Sequence, residues 1–493
     1  MGEEWSSVSV PGLARPPLDR ATKVLYGVGA AASAIKQRGL SAFLMLFYNQ
    51  VVGLDPEQVA LGIFIALIFD AVIDPTVGLL SDNTRSRWGR RHPWMYAAAA
   101  PVAIGYFLLW TPPSGWESAP LFGYMLACLL TVRLFDTFFE LPALALGPEL
   151  ESDYHGRATL YAYRQFFAVL GGLGMTILVY QVLMPDEGGR SGLLLGREGW
   201  TNYAVIAALL IFATILISTA ATHGQIRYLH MPSRRRVSVR TLVGETVATL
   251  SNRHFLIITI FGLFVTISVG VKYSMEIYFN LYFWELTSRQ LALIATVGTV
   301  CGLGGVLYAP HLVRALGKRN AMVLAFIVLT TTVVTPISLR LLGVLPLNGD
   351  PVLFYILLVD LGLHGATSPI ITILTVSMAA DVVEDSQVKT GRRSEGVLLS
   401  ADDLLKKLVS GVGLLISGVI LAAAAFPKGA QPGQVPAATL EKMATLYVPI
   451  MLALYGAAIA TMLFFRLGKE QHDINLATLL RQTEAEEAEE ALR

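Results

Sequence analysis

Charge is scarce in this chain. Of its 493 residues only 15% are Asp, Glu, Lys or Arg, and 54% are hydrophobic; a soluble domain carries about 25% charged residues. That deficit argues against a water-soluble protein, and apolar runs of ~18 or more residues, each a candidate membrane span, recur along the whole length. Net charge is +1, so no global field draws the chain to nucleic acid, and no nucleic-acid partner is expected. Cysteine is nearly absent. Cys128 and Cys301 each lie inside an apolar run and read as small core residues, not as a disulfide framework. Also missing are a GxxxxGK(S/T) loop, a Cys/His metal cluster, GxSxG and HExxH. Their absence argues against a nucleotide-driven pump and leaves no nucleophile–base arrangement for an enzyme. No cofactor is expected. The amino-terminal stretch begins with acids and has no apolar h-region, so it is not read as a cleaved signal peptide; the loose match of Gly2 and Ser6 to a myristoylation pattern is taken as accidental.

What is present is a ladder of about twelve apolar spans, centred in 24–50, 57–81, 92–112, 119–146, 160–184, 201–222, 254–284, 290–315, 320–345, 351–380, 396–426 and 443–466. The segments between them alternate in charge. One set is basic: Arg85, Arg87, Arg90 and Arg91; Arg157; Arg227 and Arg234 to Arg240; Arg314, Lys318 and Arg319; Lys389, Arg392 and Arg393. The other, with Asp55, Glu57, Glu117, Asp186, Glu187, Glu198 and Asp350, is acidic or neutral. Positive-inside places the basic set and both termini in the cytoplasm of a multi-pass protein of the cell (inner) membrane.

One long polar connection divides the spans six and six. The expected organisation is a cytoplasmic tail (1–22), a six-helix bundle (23–222), a central cytoplasmic loop (223–252), a second six-helix bundle (253–466) and an acidic cytoplasmic tail (467–493). The fold class is an all-α polytopic membrane protein of twelve transmembrane helices in two bundles. "LLSDNTRSRWGRRHPW" after the second span is echoed by "HLVRALGKRNAM" after the eighth. Repeat-built transporters show this correspondence and hold substrate between the halves near the midplane.

A charge at bilayer depth costs at least ~2.5–3.5 kcal/mol on insertion scales, so it faces a partner or an aqueous cavity. In the second span Asp70 and Asp74 are four residues apart, on one helical face. Two close carboxylates in low dielectric must share a proton, hold a cation such as Na⁺ with hard oxygen ligands, or pair with basic residues that fix helix packing. Pro75 loosens the helix beside them. In the fourth span Arg133, Asp136 and Glu140 share a face; Arg133 and Asp136 read as an ion pair, and Glu140 as a third carboxylate for the cation or a substrate contact. In the eleventh span the spacing pairs Asp403 with Lys407 and Asp402 with Lys406, and Lys407 is the candidate to answer the acids of the second and fourth spans. Lys272 with Glu276 and Asp360 with His364 repeat the spacing; gate, lock and helix-end readings all stay open for them. Gly298 and Gly302, and Gly171, Gly172 and Gly174, read as small-residue packing faces.

Three stretches carry a family likeness: "FDAVIDPTVGLLSDNTRSRWGRRHPW", "ELPALALGPELESDYHGRATLYAYRQFFAVLGG" and "MAADVVEDSQVKTGRRSEG". Through them the chain resembles the glycoside–pentoside–hexuronide:cation symporters (melibiose permease-like) of the major facilitator superfamily. The resemblance implies the major facilitator fold and alternating access, with sodium or proton coupling at Asp70, Asp74 and Glu140. It also makes Arg85, Arg87, Gly89, Arg90 and Arg91, with Lys318, Arg319, Lys389 and Arg392, gating elements. Arg164 and Lys407 fall on positions that contact substrate or balance the acids, beside Asp136 and Asp403. The family's sugar-gripping Lys–Asp pair is Ser33 and Ala34 here, and its stacking tryptophan is Leu144. Lys36 and Gln37, one turn on, are candidate replacements. The expected function is symport of a small organic solute such as a glycoside with Na⁺ or H⁺. The partners are that solute, the cation and membrane lipid, and the working unit is a monomer. Alternatives are a carrier of a lysophospholipid-like amphiphile on the same fold, and a non-transporting receptor or scaffold.

Overall fold

The structure, a computed structural model, describes residues 18–151, 154–185, 195–228, 253–390 and 395–465. Among the described residues ten helices are long and apolar enough to cross a membrane. One of these, Ser288–Leu341, breaks at Gly317, whose φ of 74° and ψ of 162° are not helical, and so makes two spans. A further helix that starts at Arg20 completes the twelve. It carries Arg20, Lys23, Lys36 and Arg38, which makes it the least apolar span.

In chain order, α1 is Arg20–Arg38 with its continuation, α2 Pro56–Asn83, α3 His92–Trp110, α4 Ser118–Leu150, α5 Tyr154–Leu178 and α6 Arg197–His223. The second half has α7 Arg253–Tyr278, α8 and α9 (288–316 and 318–341), α10 Pro351–Thr390, α11 Glu395–Ala423 and α12 Ala437–Leu463. Local chemistry sets several ends. The Asp19 side chain caps α1 by accepting from the Thr22 amide at 3.3 Å, and Pro56 opens α2 where a missing N–H costs nothing. A capping box of Thr287 and Gln290 opens α8.

In the first half α1 packs on α5 and α6, α3 on α4 and α6, and α2 on α4. In the second half the α8–α9 hairpin packs on α10 and α12, and α7 on α11 and α12. Small residues let these helices close up, as the sequence suggests: Gly171 lies against Ala31, Gly302 against the Gly365 carbonyl, and Gly365 against Gly298. The outside is apolar. Leu307 and Val359 are 76% and 73% exposed, a surface suited to lipid, while every spanning segment satisfies its own backbone as a helix.

The halves meet chiefly through α2 and α11, where Gly411 and Gly418 admit Phe64 and Ala60. At the end away from the arginine-rich turn, hydrogen bonds join them. Gln50 Nε2 donates to the Pro427 carbonyl at 3.2 Å and its Oε1 accepts from the Ala430 amide at 3.0 Å. Tyr278 donates to Asn49 at 2.9 Å, Ser288 to the Met184 carbonyl at 3.1 Å, and Lys428 pairs with Asp55 at 2.6 Å.

After Arg38, α1 continues through two π-helical segments, Gly39–Phe43 and Phe47–Val52. Gly39 is obligatory there: the hydroxyls of Tyr106 and Tyr203, bonded to each other at 2.6 Å, occupy the place of its missing side chain. Single-turn π segments of this kind concentrate at functional sites.

Candidate functional site

The intramembrane charges gather into one network. Lys36 of α1, 3% exposed, donates to Asp136 of α4. Arg133, one turn before Asp136, donates instead to Asp70 of α2 at 3.2 Å. Thr137 donates to Asp74 Oδ1 at 2.9 Å. Lys407 of α11 reaches the other oxygen of Asp74 at 2.5 Å, across the boundary between the halves. Glu140, half-buried, makes no hydrogen bond or ion pair among the described residues, though it is an electrostatic neighbour of Lys36. Among the described residues no three acid, histidine or cysteine side chains converge as ligands of a metal ion.

Two pairings differ from the spacing-based expectation. Arg133 and Asp136 share a helix face but turn to different neighbours, because α2 and α1 bring in Asp70 and Lys36 with better geometry than a bond along one helix. Asp360 and His364 also go separate ways: His364 Nδ1 meets Thr332 Oγ1 at 3.2 Å. The side chains of Asp402, Asp403 and Lys389, and all of Arg392 and Arg393, lie outside the described residues. Lys272 and Glu276 do pair, at 2.8 Å.

Between the halves lies a cavity of about 520 Å³, lined by Gln37, Arg38 and Arg133 on one side and Thr266, Tyr273 and Ser410 on the other. A second, of about 410 Å³, shares Arg38, Val169, Tyr273 and Thr299 with it and adds Gln165, Lys272, Glu276 and Asn280. Each falls in the size range of small-molecule sites, roughly 300–1,000 Å³. Of the residues expected to touch substrate, Gln37 lines a cavity, but Lys36, Asp136, Arg164 and Lys407 line neither. Arg164 is buried with its guanidinium over the Tyr26 ring at 5.3 Å, one nitrogen lacking a hydrogen-bond partner. It braces α1 against α5. Sequence reasoning passed over Arg38, Tyr273 and Thr137. Arg38 is visible in the sequence as a second cation two residues after Lys36, but nothing there sets it apart from a helix-end cation. Thr137, an ordinary helix residue, gave no signal.

At the basic turn, Arg90 and Arg91 both hold Glu149 near the end of α4, Arg91 at 2.5 Å; Arg91 also reaches Asp82 at 3.5 Å. Gly89 makes the turn with φ 73°, a left-handed conformation that glycine adopts without steric cost. Arg85 and Arg87 are exposed. In the second half Gly317 has φ 74°, and Lys318 after it grips both oxygens of Asp381 of α10 at 2.7 Å. Arg319 is exposed. Both turns therefore place a glycine before the cation that pairs with the helix two further on.

The fold recurs in solved transporters. The nucleoside transporter NupG superposes with a TM-score of 0.60 at 14% identity, covering 91% of this chain and all of that one. Similar chains include the isoprimeverose transporter of Lactiplantibacillus pentosus (24% identical; 87% of this chain, 85% of that one). The inner membrane symporter YicJ of Escherichia coli is 25% identical (93% and 94%). The sodium-dependent lysophosphatidylcholine symporter 1-A of Danio rerio is 22% identical (96% and 91%). Residues 25–469 match the family described as MFS/sugar transport protein, and with its twelve helices, apolar exterior and cavity between two bundles the chain belongs to that family of the major facilitator superfamily.

Proposed function

We propose that the protein is a cation-coupled secondary symporter that moves a small organic solute, of the glycoside class, by alternating access. The observation that carries this reading is the intramembrane network: four carboxylates, Asp70, Asp74, Asp136 and Glu140, face three basic groups, Lys36, Arg133 and Lys407. Among these seven described groups one negative charge is left over, which a single Na⁺ or H⁺ would balance. Hard oxygens suited to Na⁺ are present at Asp70, Asp74 and Thr137. In the described state Arg133 and Lys407 occupy the two second-span acids, as expected for a carrier between cation-loaded cycles. A cation entering at Asp74 displaces Lys407, frees α11 from α2 and so biases the halves toward another arrangement. Coupling then follows from linkage, with cation and substrate each tightening the other by the same factor.

The bodies that rock are residues 23–222 and 253–466, flanked by cytoplasmic segments 1–22, 223–252 and 467–493. With the seal at Gln50, Asn49 and Asp55 on the outer side, the described state faces the cytoplasm of an inner-membrane, monomeric carrier. It needs no cofactor and performs no chemistry on its cargo. The likeness to a lysophosphatidylcholine symporter favours one second reading, an amphipathic cargo with its tail in the apolar part of the cavity.

The test is reconstitution in proteoliposomes with an imposed Na⁺ or H⁺ gradient and a panel of labelled glycosides and lysolipids. The reading expects gradient-driven accumulation that an ionophore collapses and that Asp74→Asn abolishes. Absence of any gradient-driven movement would leave the receptor or scaffold reading standing.

A further inference from the structure

Four ion pairs account for most charges around the network and the two large cavities: Lys36–Asp136, Arg133–Asp70, Lys407–Asp74 and Lys272–Glu276. Apart from Arg164, whose guanidinium lies over the Tyr26 ring and lines neither cavity, two charges are left without a partner among the described residues, and they have opposite signs. One is Glu140. The other is Arg38, which lines both cavities and makes no hydrogen bond or ion pair. Asp360 lies apart from both cavities, on a separate chamber of about 70 Å³. Glu140 and Arg38 are not paired with each other, although a guanidinium and a carboxylate inside a membrane protein gain by meeting.

Arg38 is the last residue before the π segment Gly39–Phe43, and Gly39 is locked between Tyr106 and Tyr203. The backbone that carries Arg38 is therefore fixed. No carboxylate lines the 520 Å³ cavity, and the single one lining the 410 Å³ cavity, Glu276, is held by Lys272. A planar guanidinium with free donors is matched to a carboxylate or a phosphate. Tyr273, 43% exposed and shared by both cavities, presents its aromatic ring to the same space, with the Lys272 ammonium 5.1 Å from the ring centroid.

We infer that the cavity admits an acidic solute, its carboxylate or phosphate seated on Arg38 and its apolar face against Tyr273. This deepens the symport reading and rests on it for the cargo's size class. The unpaired Glu140 and the unpaired Arg38 are then the seats for the two halves of one load, a cation and an anion carried together.

Binding to the purified full-length protein, without any gradient, tests the assignment. The probes are methyl β-glucoside (neutral), methyl β-glucuronide (carboxylate) and glucose 6-phosphate (phosphate), with monoolein and its lysophosphatidic acid counterpart as a matched amphiphile pair. At least one acidic probe is expected to bind tenfold or more tightly than its neutral partner. Which one does so separates carboxylate from phosphate and sugar from amphiphile. Arg38→Gln should erase the preference and Arg38→Lys keep part of it, with melting curves reporting whether each variant is folded. Equal binding of acidic and neutral partners, no binding of any acidic probe, or a preference that survives Arg38→Gln each overturns the inference. If Arg38→Gln fails to fold, the wild-type comparison and Arg38→Lys still decide. Cation dependence is scored separately, by repeating the titrations with and without Na⁺, so a failure of coupling is distinguishable from a failure at Arg38.

Discussion

Lys407→Ala should make the coupling cation bind more tightly. In the described state the Lys407 ammonium sits 2.5 Å from Asp74 Oδ2. Coulomb's law at an effective dielectric constant near 20 gives a gross attraction of roughly 6–7 kcal/mol at that separation. Most of this is offset. The Lys407 side chain is 34% exposed and that of Asp74 16%, so both retain solvation in the separated state, and a long side chain must be ordered to make the pair. Exposed pairs net about 0.2–1 kcal/mol and breaking a buried one costs ~3–5 kcal/mol; a pair between those limits is worth about 1–2 kcal/mol. An entering cation must overcome that amount, and 1.4 kcal/mol is about tenfold in affinity. The assay is a Na⁺ or Li⁺ titration of the melting temperature of the purified protein, because a ligand that binds the native state raises stability by mass action. Lys407→Ala should shift the half-saturating cation concentration down about tenfold, and Asp74→Asn should remove the response. An unchanged or higher half-saturating concentration in Lys407→Ala would mean that Lys407 does not compete for the cation position.

Four further outcomes follow from the geometry. Lys36→Met strands Asp136 in a buried site and should cost about 3–5 kcal/mol, whereas Lys36→Met with Asp136→Leu should recover most of it; thermal melts of the two single variants and the double variant check the coupling. Gly39→Ala forces a methyl group into the Tyr106–Tyr203 contact and should destabilise by about 1–3 kcal/mol, read in the same melts. Gln50→Ala removes two hydrogen bonds between the halves, worth about 0.5–1.5 kcal/mol each; cysteines placed behind this seal should label faster, and an unchanged rate would show that the seal does not depend on Gln50. Glu149→Gln takes from Arg90 and Arg91 the nearer of the two acids they share, leaving Asp82, and Asp381→Asn weakens the hold on Lys318; both should slow uptake while leaving equilibrium substrate binding within about threefold, as expected of contacts that line neither cavity.

The helices were legible because a membrane imposes length and hydropathy on every span, and even the hairpin at Gly317 is marked by "LGKRN". The acids and bases of the network were legible for the same reason, since a charge inside an apolar run stands out. Of their pairings only that of Lys407 with a second-span acid was legible, and it is made to Asp74. Arg133 and Asp136 look like partners along one helix, but α2 and α1 deliver Asp70 and Lys36 to them, and that depends on how the helices pack together. Arg38 was hidden differently. It follows Lys36 in a span already rich in polar residues, and only the cavity around it and the lack of a partner distinguish it from a helix-end cation. Arg164 fell on a position where the resemblance implied a substrate contact, but here it lies over Tyr26 away from both cavities.

Gly89–Arg90 and Gly317–Lys318 each fasten a turn to the end of a helix in the same half. Among the described residues both fastenings lie within their own half. Each set of six helices is therefore stapled to itself at the arginine-turn end, and flexing of individual helices there would have to break its own staple. The inexpensive motion is a tilt of one intact body against the other, pivoting where Gly411 and Gly418 let α11 roll on α2. The protein is built as two levers on a glycine-lined fulcrum, with the ion network next to the fulcrum, where a small change in charge is multiplied into a large displacement at the ends.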